Sequence, residues 1–282
     1  MATATTKILL TGLCFPEGPR WHDGKLWFSD MHGHKVMALG LDGAAQTIVE
    51  VPAAPSGLGW LPDGRLLVVS MEDRRLLRLD PGGLTEVADL HRFATFHCND
   101  MVVDAQGRAY VGNFGFDLHG GAHPVPTVLT LVLPNGDARV VADELMFPNG
   151  TVITPDGRTL IIGESFGPRL SAFDIQPDGS LRNRRIWAPL DRTVPDGICL
   201  DAEGAVWVAS PISNEVVRVV EGGTITQRIP IEMQAFACML GGPQRRHLFI
   251  CTASTSDPPQ CRARRDGRIE VVEVDAPGAG LP

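Results

Sequence analysis

The chain has 282 residues, 44% of them hydrophobic and 21% charged, with a net charge of −8. This balance is typical of a soluble globular protein, and an acidic chain without a Lys/Arg stripe is not expected to bind nucleic acid, which demands clustered positive charge. Apolar runs such as Leu66-Leu67-Val68-Val69 fall far short of the ~20 residues that span a bilayer, so no membrane partner is expected either.

The N-terminus, Met1-Ala2-Thr3-Ala4-Thr5-Thr6-Lys7, leads into a brief apolar stretch without an h-region or cleavage site, from which a cytoplasmic location is expected. Cys14, Cys98, Cys199, Cys238, Cys251 and Cys261 show no Cys-x-x-Cys spacing and read as reduced structural thiols.

In chain order, an apolar segment at residues 7–10 is followed by a recurring unit of strand, tight turn and strand. Asp23-Gly24 precedes the apolar run 25–30, Asp63-Gly64 the run 65–70, and Gln106-Gly107 the run 108–113. Asp156-Gly157 precedes 158–164, Glu203-Gly204 precedes 205–210, and a degenerate Gln244-Arg245-Arg246-His247 precedes 248–252, with Arg246 aligned to the turn glycines. Such steps between β-rich runs are hairpin signals, because Gly adopts positive φ without steric cost. A second strand pair follows each hairpin, turning for example at Asp42-Gly43, Asn135-Gly136 and Gly222-Gly223.

The turn glycines 24, 64, 107, 157 and 204 lie 40, 43, 50 and 47 residues apart. A period in the forties with four short strands per unit predicts an all-β, six-bladed β-propeller of four-stranded antiparallel blades. Six blades take up residues 1–282 as one domain, and pairing of residues 7–10 with the terminal strand 268–274 closes the ring and protects the sheet edges.

A second signature precedes each turn glycine. It reads Pro16-Glu17-Gly18, Pro55-Ser56-Gly57, Cys98-Asn99-Asp100, Pro148-Asn149-Gly150 and Pro195-Asp196-Gly197, with Phe236-Ala237-Cys238 in the sixth unit. The innermost strands of a propeller start at one face of the channel, so these middle residues converge. Glu17, Asn99, Asn149 and Asp196 then form a hard oxygen set suited to Ca²⁺, Mg²⁺ or Mn²⁺. Without His or Cys the set does not suit structural zinc. Two carboxylates facing each other across a channel repel unless a cation or proton lies between them.

Phe15-Pro16-Glu17-Gly18-Pro19, Asn99-Asp100, Phe147-Pro148-Asn149-Gly150 and Val194-Pro195-Asp196-Gly197-Ile198 resemble the regucalcin/gluconolactonase/luciferin-regenerating-enzyme family, over about residues 13–253. The resemblance implies a six-bladed propeller that hydrolyses a lactone with one divalent cation, Ca²⁺ first and Mg²⁺, Mn²⁺ or Zn²⁺ as alternatives. It implies Glu17, Asn149 and Asp196 as metal ligands, with Asn99 contacting substrate or completing the coordination sphere. Asp196 is also the expected general base. Where many sugar-lactone members carry Arg, two residues before the Asn of this blade, His97 stands here, which puts aldonolactone specificity in question.

Two alternatives stay open: a phosphotriester or fluorophosphate hydrolase using the same cation site, and a non-catalytic propeller that binds calcium or a metabolite. The only partner expected is a small-molecule substrate, without an obligate protein partner. The rim residues, including Met31, Met71, Phe114, Phe116, Phe166 and Ile212, favour a substrate with apolar surface. His32 and His34 read as solvated loop residues. The insertion 117–124, with His119 and His123 beside Gly120 and Gly121, is a candidate lid.

Overall fold

The computed structural model describes residues 5–280, which form six four-stranded antiparallel sheets arranged as the blades of a propeller. From the axis outward, blade 1 runs Pro16–His22, Lys25–Asp30, Lys35–Leu39 and Ala45–Glu50, and the next four blades repeat that order. Blade 6 takes its inner three strands from Gln234–Gly241, His247–Ala253 and Gly267–Glu273, and its outermost strand, Lys7–Leu13, from the other end of the chain. Lys7 pairs with Val271 and Leu13 with Gly267, so the ring is closed by strand pairing as expected.

The turn chemistry is as the sequence implies. Gly24, Gly64, Gly107, Gly157 and Gly204 all have φ between 70° and 85°. In the sixth hairpin the left-handed residue is Arg245, at φ 55°, one position before the Arg246 aligned from the repeat. The cores lie between neighbouring blades and are filled by alternating inward side chains, including fully buried Trp207, Tyr110, Phe28 and Phe249.

The innermost strands carry the feature that builds the site. In blade 1 Glu17 pairs with Ser29 but Arg20 pairs with Trp27, so three residues on the inner strand span two on its partner. The same one-residue bulge occurs in blades 2, 3, 4 and 6, between Pro55 and Leu58, Cys98 and Met101, Pro148 and Thr151, and Ala235 and Ala237. A bulge bends the strand and re-aims a side chain. Here it falls within or beside the signature triplets of those five blades, while the inner pairing of blade 5, after the triplet with Asp196, shows no such shift.

Glycine in the triplet lets adjacent inner strands approach. A Cβ at Gly57 would lie 2.4 Å from the Met101 nitrogen, and one at Gly150 2.4 Å from the nitrogen of Ile198. Blade 3 has Asp100 instead, and its side chain has a separate role described below.

One helix interrupts the β architecture. Pro258–Arg264 sits between the second and third strands of blade 6, capped by Asp257, whose side chain accepts from the Gln260 N–H at 3.1 Å. At seven residues it is too short for apolar periodicity to show. Its legible signal is Asp257 followed by Pro258, an N-cap with proline in the first turn. Among the described residues no helix is long and apolar enough to cross a membrane.

If inner-strand contact depends on the missing Cβ, Gly57→Ala lowers stability by about 1–3 kcal/mol through overpacking. Thermal denaturation checks this, and an unchanged Tm would contradict it.

Candidate functional site

One cavity of about 280 Å³ opens on the axis, lined by Glu17, Asn99, Asn149 and Asp196 together with His97. The four oxygen-bearing residues expected to converge, and the proposed substrate contact His97, therefore share a single chamber. They come from blades 1, 3, 4 and 5.

Glu17, Asn99 and Asn149 are buried, and Asp196 is half-buried. Glu17 Oε2 accepts from the Gly18 N–H at 2.8 Å. Asp196 Oδ1 accepts from Asn149 Nδ2 at 2.6 Å, and the same Nδ2 donates to Ser165 Oγ at 3.2 Å. Ser165 Oγ in turn donates to the Pro195 carbonyl at 2.7 Å, tying blade 4 to blade 5. With its nitrogen so committed, Asn149 leaves its amide oxygen to face a ligand. Ser56 Oγ donates weakly to Asn99 Oδ1 at 3.4 Å, while the buried Asn99 Nδ2 has no partner.

The electrostatics of this floor are lopsided. Among the described residues neither Glu17 nor Asp196 forms an ion pair. Burial first, and then the charge of Asp196, pushes the Glu17 carboxyl well above the usual carboxylate range. Burial likewise lifts Asp196 to about 8 despite the Asn149 hydrogen bond, and Asp100 adds further repulsion. Two buried carboxylates in this state demand a proton or a cation.

Asp100 has a cation of its own. Arg20, buried in blade 1, donates to Asp100 Oδ1 at 2.8 Å and to the Pro19 carbonyl at 2.8 Å. It also donates to the carbonyl of Met101. The pair bridges blades 1 and 3, and no local pattern in the sequence announces it across 80 positions. The available signal was the break in frame, Asn99-Asp100 where Asn149-Gly150 and Asp196-Gly197 have glycine.

The mouth is apolar. Phe114 and Phe147 lie 4.6 Å apart between ring centroids, Phe147 and Phe166 5.4 Å, and Phe15 and Phe236 4.7 Å. Phe116 backs this wall, 5.1 Å from Phe166. Polar anchors hold the segments that present these rings. Asp30 Oδ1 accepts from the Cys14 and Phe15 N–H groups, both at 2.9 Å, and Glu164 Oε2 accepts from the Met146 N–H at 2.9 Å. Phe147 itself is held at φ 60°, a conformation that costs a non-glycine residue of order 1–3 kcal/mol.

Among the histidines, His32 departs from expectation. It is buried at 4% exposure, stacked on Phe15 at 5.2 Å, with Nε2 3.3 Å from the Ser256 carbonyl. Burial lowers it to about 4, so it is neutral at physiological pH. The helix-bearing segment of blade 6 covers it, which the sequence reading lacked. His34 instead faces away, its Nδ1 2.9 Å from the Pro52 carbonyl. His97 stacks on Phe96 at 4.0 Å, is held below its ordinary value by burial, and has an unpartnered Nδ1. Leu118 and His119 of the 117–124 insertion also line the chamber. Cys98 is buried and its thiol is pushed up to about 12, consistent with a packing role.

The family model described as "SMP-30/Gluconolactonase/LRE-like region" matches residues 15–254. The chain belongs to this family. It is 25% identical to a pentonolactonase of Haloferax volcanii over 254 residues, 88% of this chain and 84% of that one. A regucalcin of Danio rerio is 30% identical over 179 residues, covering 60% of this chain and 59% of the relative. Among solved structures, a gluconolactonase from Xanthomonas campestris superposes with a TM-score of 0.79 at 24% identity, over 96% of this chain and 90% of that one.

Among the described residues no three His, Cys, Asp or Glu side chains cluster as metal ligands; the candidate set here is half amide. Its donors nonetheless fit a hard divalent ion, since two carboxylates without a cationic partner and two amides line one chamber.

The Arg20–Asp100 pair gives a test of the floor's charge balance. Arg20→Met leaves a buried carboxylate unpaired and is expected to cost about 3–5 kcal/mol, part of which Asp100→Asn in the same chain restores. Urea denaturation of the single and double variants checks this, and equal losses in both would contradict it.

Proposed function

We propose that the protein is a divalent-cation-dependent hydrolase of a small-molecule lactone, working in the cytoplasm. The observation that carries this reading is the pair of carboxylates, Glu17 buried and Asp196 half-buried, without a cationic side chain, at the foot of a substrate-sized chamber. The pentonolactonase relative supports the lactone as substrate class. The six cysteines, all free and buried, suit a reducing compartment.

Glu17, Asn149 and Asp196 would hold the ion, Ca²⁺ first, with Asn99 beside them. When bound, the cation supplies positive charge where the lactone carbonyl oxygen becomes an oxyanion. The remaining steps belong to the chain's own groups. The hydrogen bond from Asn149 Nδ2 fixes Asp196 by its Oδ1, leaving Oδ2 to take a proton from the attacking water. As the ring C–O bond breaks, that proton passes to the departing ring oxygen, and the product is the open hydroxy acid. Asn99 Nδ2, buried and unpartnered, donates to a substrate oxygen, and His97 Nδ1 offers a second contact. The aromatic mouth limits bulk water around these groups, which strengthens each polar interaction.

The regucalcin relative keeps a second reading in view, a propeller that binds calcium without turnover. One assay separates the readings. Chelated protein is tested on γ- and δ-lactones, an aryl ester and a phosphotriester, with and without added Ca²⁺ or Mn²⁺. Metal-restored lactone hydrolysis is expected, reduced about 10²–10⁴-fold in Asp196→Asn whatever the metal supplied. Turnover of the phosphotriester alone, or lactone turnover indifferent to chelator, contradicts the proposal.

A further inference from the structure

Resting on the lactonase reading, the chamber also indicates what kind of lactone it takes. Several of its polar groups are committed within the protein: Asn149 to Asp196 and Ser165, Ser165 to the Pro195 carbonyl, His32 to the Ser256 carbonyl; Glu72, His119 and Gln234 also line it. Above them the walls are chiefly apolar, with Phe114, Phe147 and Phe166 on one side and Phe15 and Phe236 on another. A polyhydroxylated lactone seated here would bring several hydroxyls against aromatic carbon, and each buried hydroxyl without a partner costs about 1–3 kcal/mol.

A second observation points the same way. Large apolar side chains are left in solvent at the rim of this chamber. Ile212 is 71% exposed and Phe166 41%, and both line the cavity. They sit on the turns that follow the second strands of blades 5 and 4; Phe166 packs one side on Phe116 and Phe147 and leaves the rest of its ring in solvent. An apolar substituent projecting from the chamber would cover them. Blade 3 also brings His97, stacked on Phe96, to the chamber, and among the described residues no Arg or Lys lines it, so no permanent cation awaits a polyol or an anionic tail.

We infer that the substrate is a lactone whose ring carries an alkyl or aryl substituent, with its ester group at the polar floor and the substituent between the phenylalanines. The reaction is unchanged: water adds to the carbonyl carbon, the ring C–O bond breaks, and the proton ends on the released hydroxyl.

The test compares two δ-lactones on the Ca²⁺-loaded protein, glucono-δ-lactone and δ-valerolactone bearing a pentyl chain. The pentyl lactone is expected to have the higher kcat/KM, by about tenfold or more. In Phe166→Ser/Ile212→Ser, both exposed positions, that preference narrows by about three- to tenfold through a raised KM while Tm holds. Preference for gluconolactone, or a double variant that leaves the ratio untouched, overturns the inference and leaves the lactonase intact. If neither lactone is opened, the lactonase reading falls, and the matching lactams decide the ligand class. A Tm raised by the pentyl lactam alone keeps the apolar ligand, and no rise overturns it.

Discussion

Two carboxylates that share a buried floor repel each other, and the organisation of this propeller turns on that repulsion. Glu17 and Asp196 come from blades 1 and 5 and face one chamber. Removing them from water raises both carboxyls, and proximity raises Glu17 further. Several other buried acids are paired with arginine: Asp100 with Arg20, Asp104 with Arg108, Asp201 with Arg218, Glu164 with Arg169 and Arg184. Among the described residues Asp30 and Glu270 are also buried without a cation, each held by hydrogen bonds, from the Cys14 and Phe15 N–H groups and from Thr6 and Thr252; what sets Glu17 and Asp196 apart is that the two share one chamber. Leaving them unpaired carries a cost in stability that, on the proposed reading, a bound cation would offset.

The backbone around the axis is shaped to hold that arrangement. Bulges interrupt the inner strands of blades 1, 2, 3, 4 and 6 at or beside their triplets, and glycine in the triplets of blades 1, 2, 4 and 5 lets the neighbouring strand come within contact distance. Blade 3 breaks the pattern with Asp100, whose charge Arg20 takes up from blade 1. Floor and mouth then divide the labour. On the proposed reading the floor supplies oxygen donors and a base, chemistry that would suit any lactone. The walls of phenylalanine and methionine would then decide what is attached to the ring.

Much of this was legible in the sequence because it is written locally. The hairpin glycines fix the blade period, and the triplets mark the inner strands, since both depend on backbone conformation at single positions. The convergence of Glu17, Asn99, Asn149 and Asp196 followed from ring symmetry. What escaped depends on contacts between distant segments. The short helix Pro258–Arg264 has only a cap to announce it, and its segment buries His32, which by sequence alone belonged to a solvated loop. Arg20 and Asp100 meet only once the ring has closed. In the sixth hairpin Arg245 adopts the left-handed conformation normally given to glycine, so the repeat could be aligned only to within one residue.

The central claim is that the floor exists to hold one divalent cation. Isothermal titration of the chelated protein with Ca²⁺ tests it without reference to any substrate. The account predicts one ion bound per chain, with binding lost in the Glu17→Gln/Asp196→Asn double variant while the fold is retained. Absence of binding at millimolar Ca²⁺, Mg²⁺ and Mn²⁺, or binding undiminished in the double variant, would contradict it.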